Sequence, residues 1–156
     1  MNLLSNRIFY FSLFISFGVI ANAIRLRHRK RRILRSFASR PPLSAGEFGT
    51  GFFPPDQART ASGIRLLLEK ALKIRLGGLR PEDSFRKDLH FDEMTRDSFQ
   101  KFLVAVETEY DIGLPPVDTC MNLTFGRFVA TVQNKINRAS GLQPSGTPAS
   151  TPHSAG

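Results

Sequence analysis

The sequence predicts an all-α domain at residues 60–139, a small bundle of three main helices and one short helix. In three segments the apolar residues recur at intervals of three and four positions. No segment alternates apolar and polar residues over several positions, as a half-buried strand would. Gly and Pro residues separate the helical segments, and the loop after the first helix is long, at about residues 77–94.

The first predicted helix spans residues 60–76. Thr60 or Ser62 can cap its start, and Gly77-Gly78 can end it. Its apolar face, which we expect to pack against the core, consists of Ile64, Leu67, Leu68, Ala71 and Leu72, with Ile74 at the edge.

The second predicted helix follows Thr95, which can act as its N-cap, and ends at Gly113 and the prolines that follow. Three- and four-residue steps place its apolar residues on one face, which we expect to be buried. These residues are Phe99, Phe102, Leu103, Val106 and Tyr110.

The last predicted helix begins after Thr124, a second candidate N-cap, and continues to about residue 136. Residues 117–123, which precede it, are long enough for one short helical turn. The apolar face of the last helix consists of Phe125, Phe128, Val129, Val132 and Ile136.

The segments on either side of the domain differ from it in composition. Residues 1–60 hold ten Lys/Arg against two acids, whereas residues 61–156 hold twelve against eleven. The net charge of +9 therefore belongs to the N-terminal part, and the domain itself is not predicted to bind nucleic acid. Residues 38–59 are rich in Pro and Gly and predict a linker, and residues 140–156 predict a disordered tail.

Residues 1–37 predict a targeting leader, for which three interpretations stay open. The Arg-rich, acid-free composition of residues 1–46 favours a mitochondrial presequence, and 35-RSFAS-39 resembles a processing site cut after Phe37. The apolar run at 8–24 contains 21-ANA-23, which is typical of a secretory signal. With the basic run behind it, this would resemble a two-part plastid leader. Residues 8–24 could also remain as a membrane anchor.

Three short motifs in the domain resemble those of the acyl carrier protein family. The segment 84-SFRKDLHFD-92 resembles Phe-x-x-Asp-Leu-Gly-x-Asp, with His90 where Gly is usual. The segment 107-ETEYDIGLP-115 resembles Glu-x-Glu-Phe-Asp-x-x-Ile-Pro at the end of the second helix. The segment 123-LTFGRFV-129 resembles the Ile-Thr-Thr-Val start of the last helix. The resemblance covers about residues 63–136 and implies an acyl-carrier-like four-helix bundle.

The resemblance also implies a cofactor and its attachment site. Carriers attach 4′-phosphopantetheine to the serine of an Asp-Ser-Leu motif at the start of the second helix, and Asp97-Ser98-Phe99 is the local match. This match requires a loop five residues longer and a helix two residues shorter than the family pattern. Two functions therefore stay open: a degenerate carrier without the group, which we favour, and a carrier modified on Ser98 for fatty-acid or lipoate synthesis.

The second helix and the residues before it are acidic. In carriers this helix docks onto basic surfaces of partner proteins, including small helical LYR-type proteins in mitochondria, so the resemblance implies a docking surface. Only Arg96 and Lys101 are basic in this stretch. The candidate partner-binding residues are Asp92, Glu93, Asp97, Glu107, Glu109 and Asp111.

The remaining residues give no sign of catalysis. Cys120 is the single cysteine and the three histidines lie in unrelated segments, so neither a disulfide nor a metal site is predicted. The sequence contains no phosphate-binding glycine loop and no nucleophile motif. We therefore expect a non-enzymatic interaction protein in a mitochondrial assembly. A further alternative is a membrane-tethered adaptor held through residues 8–24.

Overall fold

A computed structural model describes residues 24, 27–92 and 95–141 of the protein. This part of the chain is all-helical, as the sequence predicts, and contains no strand. An isolated antiparallel bridge joins Ser84 to Thr124. Helix α1 comprises residues 27–37. The other helices are α2 (Ala45–Phe52), α3 (Pro55–Leu72), α4 (Arg96–Tyr110), α5 (Val117–Met121) and α6 (Phe125–Ala139).

Helices α4, α5 and α6 lie close to where the sequence predicts them, but α4 ends at Tyr110 instead of at Gly113. The predicted cap Thr95 makes no side-chain hydrogen bond to the first turn of α4. Thr95 precedes α4 and Thr124 precedes α6, and the hydroxyl of Thr124 accepts a backbone N–H from the first turn of α6. Helix α4 ends at Tyr110 because Asp111 adopts a left-handed backbone with φ of 50°. The apolar faces predicted for α4 and α6 are buried, apart from the last residue of each, which is partly exposed.

Helix α3 begins and ends earlier than predicted. Pro55 occupies its first position, where proline is favoured because its missing N–H needs no partner. Thr60 and Ser62, the predicted caps, therefore lie inside the helix. The helix ends at Leu72 because Lys73 adopts a left-handed backbone with φ of 54°.

The prediction of a linker at residues 38–59 is wrong, because this segment contains α2 and the first turn of α3. Ser44 and Glu47 form a capping box: the Ser44 hydroxyl accepts the Glu47 N–H, and the Glu47 carboxylate accepts the Ser44 N–H at 2.8 Å. Gly49 lies so close to α3 that a Cβ there would collide with the carbonyl of Ala58. Glycine, which suggested a linker, instead permits two helices to approach closely.

A buried arginine joins α2 to α3. Arg65 is only 3% exposed, and its guanidinium donates hydrogen bonds to the carbonyls of Leu43 (2.7 Å) and Ser44 (3.1 Å) and to the Glu69 carboxylate (3.1 Å). Glu69 also accepts the backbone N–H of Leu76 at 2.8 Å. These bonds hold the chain before α2 and the chain after α3 against the middle of α3.

The core contains a cluster of aromatic rings that includes a residue from the loop between α3 and α4. Phe85 is fully buried, and Phe48 of α2 joins the cluster through Phe125, with ring centroids 5.5 Å apart. The rings that neighbour Phe85 are those of Phe91, Phe99, Phe102, Phe125 and Phe128.

Helix α1 packs into the same core, although the sequence predicts residues 1–37 as a leader removed after Phe37. Ile33 and Phe37 are 0% and 6% exposed. The guanidinium of Arg29 lies 4.1 Å from the centroid of the Phe91 ring. Cleavage after Phe37 would remove three side chains that the folded domain buries or contacts, so the predicted leader boundary disagrees with the packing.

If α1 belongs to the folded unit, truncating its buried face should destabilise the whole protein. We expect Ile33→Ala to lower the free energy of unfolding by about 2–4 kcal/mol, because it leaves a cavity in the core. Leu34→Ala is the matched control, since Leu34 is the neighbouring residue and is 48% exposed. Urea denaturation of the full chain measures both values. Equal effects of the two substitutions would contradict the packing of α1.

Candidate functional site around Ser98 and α4

The first motif forms a compact turn that leads towards α4. The carboxylate of Asp88 accepts the backbone N–H of Ser84 at 2.8 Å, and the Ser84 carbonyl accepts the N–H of Leu89 at 3.2 Å. Phe85 and Leu89 are fully buried. In this chain the Phe, Asp and Leu of the motif therefore stabilise a loop conformation and fill the core.

His90 occupies a backbone conformation that favours glycine. Its φ is 51°, in the left-handed region, which costs a residue with a Cβ about 1–2 kcal/mol. The acyl carrier pattern has Gly at this position of the motif, and glycine adopts this conformation without a steric penalty. His90 therefore occupies a position at which glycine would be favoured on steric grounds.

Asp92 and Thr95 form reciprocal hydrogen bonds at the start of α4. The Asp92 N–H donates to the Thr95 hydroxyl at 2.8 Å, and the Thr95 N–H donates to the Asp92 carboxylate at 3.1 Å. Glu93, one of the predicted partner-binding acids, lies outside the described residues. Ser98 is the third residue of α4 and is partly buried.

Ser98 faces α1 and the end of α3. It lines a cavity of about 40 Å³, and Lys30 beside it donates a hydrogen bond to the carbonyl of Lys73 at 3.4 Å. Burial lowers the pKa of Arg29 to about 10, an effect that the nearby charge of Asp92 opposes. The other residues that line the cavity are Arg29, Ile33, Ala71, Leu72 and Ile74.

The surroundings of Ser98 do not fit a 4′-phosphopantetheine group. A cavity of about 40 Å³ holds only a few water molecules, whereas this group adds a phosphodiester and a long amide chain. The interior beyond Ser98 is filled, since Phe99 and Phe102 of α4 are fully buried among other aromatic rings. In the described conformation, the cavity at Ser98 is too small to enclose the group.

The predicted partner-binding acids do not form a single patch. Asp92, Asp97, Glu109 and Asp111 are exposed. Asp97 shares the solvent face of α4 with Lys101, whereas Glu109 lies about 120° around the helix axis from Asp97. Asp111 lies beyond the last turn of α4, in a left-handed backbone conformation. Within the described residues, no ion pair involves Asp97, Glu109 or Asp111.

Glu107, the remaining predicted partner-binding acid, makes hydrogen bonds within the fold. Glu107 is partly buried, and its carboxylate accepts the backbone N–H of Leu114 at 2.8 Å. The carbonyl of Glu107 also accepts the N–H of Ile112 at 3.2 Å. Glu107 therefore stabilises the turn after α4, which is the region covered by the second motif.

Arg96 links α4 to α5. Its guanidinium makes two hydrogen bonds to the Asp118 carboxylate, at 2.7 and 2.9 Å, in the bidentate geometry that suits this pair. Both side chains are exposed, so the pair orients α5 more than it stabilises the fold. One of the two bases in the acidic stretch is thus engaged within the chain.

Arg29, Lys30 and Ile33 line the Ser98 cavity, although the sequence places all three in the predicted leader. They lie far from Ser98 along the chain, and the abundance of arginine in this region favours a leader. One signal was available: Arg29, Ile33 and Phe37 follow one another at four-residue steps, which places them on one face of a helix.

Cys120 is fully buried in α5. Burial raises the pKa of its thiol to about 11, and the charge of Glu107 acts in the same direction. The thiol donates a hydrogen bond to the carbonyl of Pro115 at 3.4 Å. A buried, protonated thiol of this kind is chemically unreactive.

Two other kinds of site are absent from the part of the chain that the structure describes. No group of three or more His, Cys, Asp or Glu side chains there is arranged to hold a metal ion. No helix in the same ranges combines enough length and apolar character to cross a membrane. The predicted membrane segment at 8–24 lies outside these ranges, except for Ile24.

Comparison with known proteins identifies no relative of this chain. No family model matches this chain, and neither the curated proteins nor the solved structures include a match.

Replacement of His90 by glycine should stabilise the protein. We expect His90→Gly to raise the free energy of unfolding by about 0.5–1 kcal/mol, because glycine relieves the left-handed backbone and gives back part of the gain as chain entropy. Lys87→Gly is the control, since Lys87 is exposed in the same loop and its φ is not positive. We expect it to destabilise the protein in urea denaturation. A loss of stability in His90→Gly would contradict the backbone assignment.

The raised pKa of Cys120 predicts a specific pH dependence. The folded chain holds the thiol proton up to a pH near 11, whereas the unfolded chain releases it near 9.0, so folding binds a proton between these values. We expect stability to fall as pH rises through this window, and Cys120→Ala to remove that part of the slope. Denaturation midpoints measured against pH test this. An identical slope in the variant would contradict the burial of the thiol.

Proposed function

We propose that this chain is a non-enzymatic, acyl-carrier-like subunit that docks through α4 onto a basic helical partner of the LYR type in a mitochondrial assembly. The carrier-like fold is supported by the order of the helices, in which the short α5 separates two helices of 15 residues each. It is also supported by His90, whose left-handed backbone lies where the family pattern has Gly.

The observation that carries the docking proposal is the solvent face of α4. This face presents the exposed acid Asp97 together with Val104, whose side chain is 49% exposed, and the exposed acid Asp111 follows the last turn of the helix. An exposed apolar residue between carboxylates suits a partner helix that combines apolar and basic residues. Lys101 interrupts the face, so the attraction depends on the two acids near its ends.

The form without a prosthetic group is favoured over a working carrier by the surroundings of Ser98. The hydroxyl lies in a cavity of about 40 Å³ beneath α1, and the neighbouring core is filled by aromatic rings. A subunit that acts by docking needs neither an exposed serine nor an internal channel.

A mitochondrial location is proposed from the Arg-rich, acid-free composition of residues 1–46. Because Ile33 and Phe37 pack into the core, we expect any cleavage of the leader to precede residue 27 rather than to follow Phe37.

Neutralising the two acids on α4 should weaken the complex. We expect Asp97→Asn with Asp111→Asn to reduce partner binding about tenfold, because each exposed charge pair contributes up to about 1 kcal/mol. The measurement is affinity isolation of the tagged full chain from mitochondria, followed by quantitative mass spectrometry of the co-purified proteins. The control pair is Asp56→Asn with Glu82→Gln, since Asp56 is also an exposed acid in a first helical turn.

Two results would overturn this proposal. Equal recovery of partners by both double variants would exclude α4 as the docking surface. A phosphopantetheine adduct on Ser98, detected by intact-mass spectrometry of the native protein, would replace the docking subunit with a working carrier.

A further inference from the structure

The two sides of α1 have opposite surroundings. Ile33 and Phe37 face the core, and Arg29 contacts the Phe91 ring, as described above. The other side faces solvent and is mainly basic. Its exposed basic residues are Arg27, His28, Arg31, Arg32 and Arg35, and Leu34 and Ser36 are exposed with them.

Within the described residues, no acid forms an ion pair with Arg27, Arg31 or Arg35 on this outer face. The sequence contains no acid before Glu47. These three arginines are spaced by four residues, so they form a row along one side of the helix. Such a row attracts an extended negative surface.

Apolar side chains next to this row indicate which kind of negative surface fits. Leu34 and Ile24 are 48% and 51% exposed, so apolar side chains meet the solvent beside the basic residues. In the sequence, α1 also follows directly after the apolar run 8–24. A nucleic acid offers phosphates but no hydrocarbon region for apolar side chains. A bilayer surface offers headgroup phosphates and, beneath them, acyl chains. The combination favours a membrane.

We propose that the outer face of α1 binds the surface of a bilayer that contains anionic phospholipids. Arg27, Arg31 and Arg35 contact the headgroup phosphates, and Leu34 enters the boundary between headgroups and acyl chains. This proposal concerns a different surface from the α4 face and does not depend on the docking partner of α4.

The packing of the inner face prepares α1 for this contact. Arg29 donates a hydrogen bond to the carbonyl of Leu89 at 3.3 Å, and Ile33 is held in the core. The row of arginines is therefore ordered before binding, so association costs less conformational entropy than it would for a disordered basic segment. It also means that binding fixes the orientation of the folded domain on the membrane.

The test is vesicle flotation with the full chain. Vesicles of phosphatidylcholine with phosphatidylglycerol are compared with vesicles of phosphatidylcholine alone. We expect binding to the anionic vesicles to fall with added salt, since charges are screened beyond about 10 Å at 0.1 M and about 3 Å at 1 M. Replacing Arg27, Arg31 and Arg35 together by Gln should weaken binding about 100-fold, which corresponds to about fivefold for each base.

The control variant removes three positive charges from a different part of the surface. Arg59, Arg127 and Arg138 are exposed on α3 and α6, and their replacement by Gln should change vesicle binding less than about twofold if α1 is the binding surface. Both variants keep residues 8–24, so insertion of that run cannot explain a difference between them. Circular dichroism checks that both variants fold.

Three outcomes would overturn the proposal. Equal losses in the two triple variants would show that net charge alone attracts the chain. Equal binding to both kinds of vesicle would assign membrane attachment to the apolar run. Tighter binding of the full chain to duplex DNA or RNA than to anionic vesicles, lost in the α1 variant, would identify a nucleic acid as the ligand of this face.

Discussion

The structure depends on a phenylalanine that belongs to a loop. Phe85 is fully buried, and five other rings have their centroids within 5.0–6.3 Å of its own. Two of these rings come from α4, two come from α6, and Phe91 comes from the same loop. Because the burial of an aromatic ring is among the largest single contributions to a small core, the packing of α4 against α6 requires one particular loop conformation. Backbone hydrogen bonds hold that loop to the first turn of α6, from Phe125 N–H to Asp83 O at 2.8 Å and from Gly126 N–H to Pro81 O at 2.7 Å.

The dependence of the core on this loop explains why the sequence predicts helices α4 to α6 better than the surroundings of Ser98. The carrier-like motifs consist largely of residues that stabilise turns: Asp88 in the loop, Glu107 after α4 and Thr124 before α6. Such local hydrogen bonds leave a signal in short stretches of sequence, and the helical spacing of apolar residues supplies the rest. None of these motif residues lies at the cavity that contains Ser98. The motifs therefore predict where helices begin and end, but not what surrounds the serine.

The linker prediction at residues 38–59 is wrong because the contacts of this segment are tertiary. From residue type alone, Gly49 suggests a linker and Arg65 suggests a solvent-facing position. The structure uses the first for close helix contact and buries the second, with carbonyls and Glu69 as its partners. Arg29 is partly buried over an aromatic ring and donates one hydrogen bond to the carbonyl of Leu89, while its buried Nε–H has no partner. A guanidinium can be buried when its N–H groups find acceptors, and those acceptors are distant in sequence. The capping box at Ser44 was the one local signal of α2, and the surrounding glycines obscured it.

Helix α1 connects the candidate site to the surface proposed for membranes. Its inner face closes the cavity at Ser98, and its outer face carries the row of arginines. A group attached to Ser98 that displaced α1 would also remove the fully buried Ile33 from the core. Displacement would also release the row of arginines from its ordered position, so the membrane contact would lose its preorganisation. A chain that docks at α4 with α1 in place avoids both costs. The proposed docking subunit and the proposed membrane contact therefore both require α1 to keep its inner face in the core.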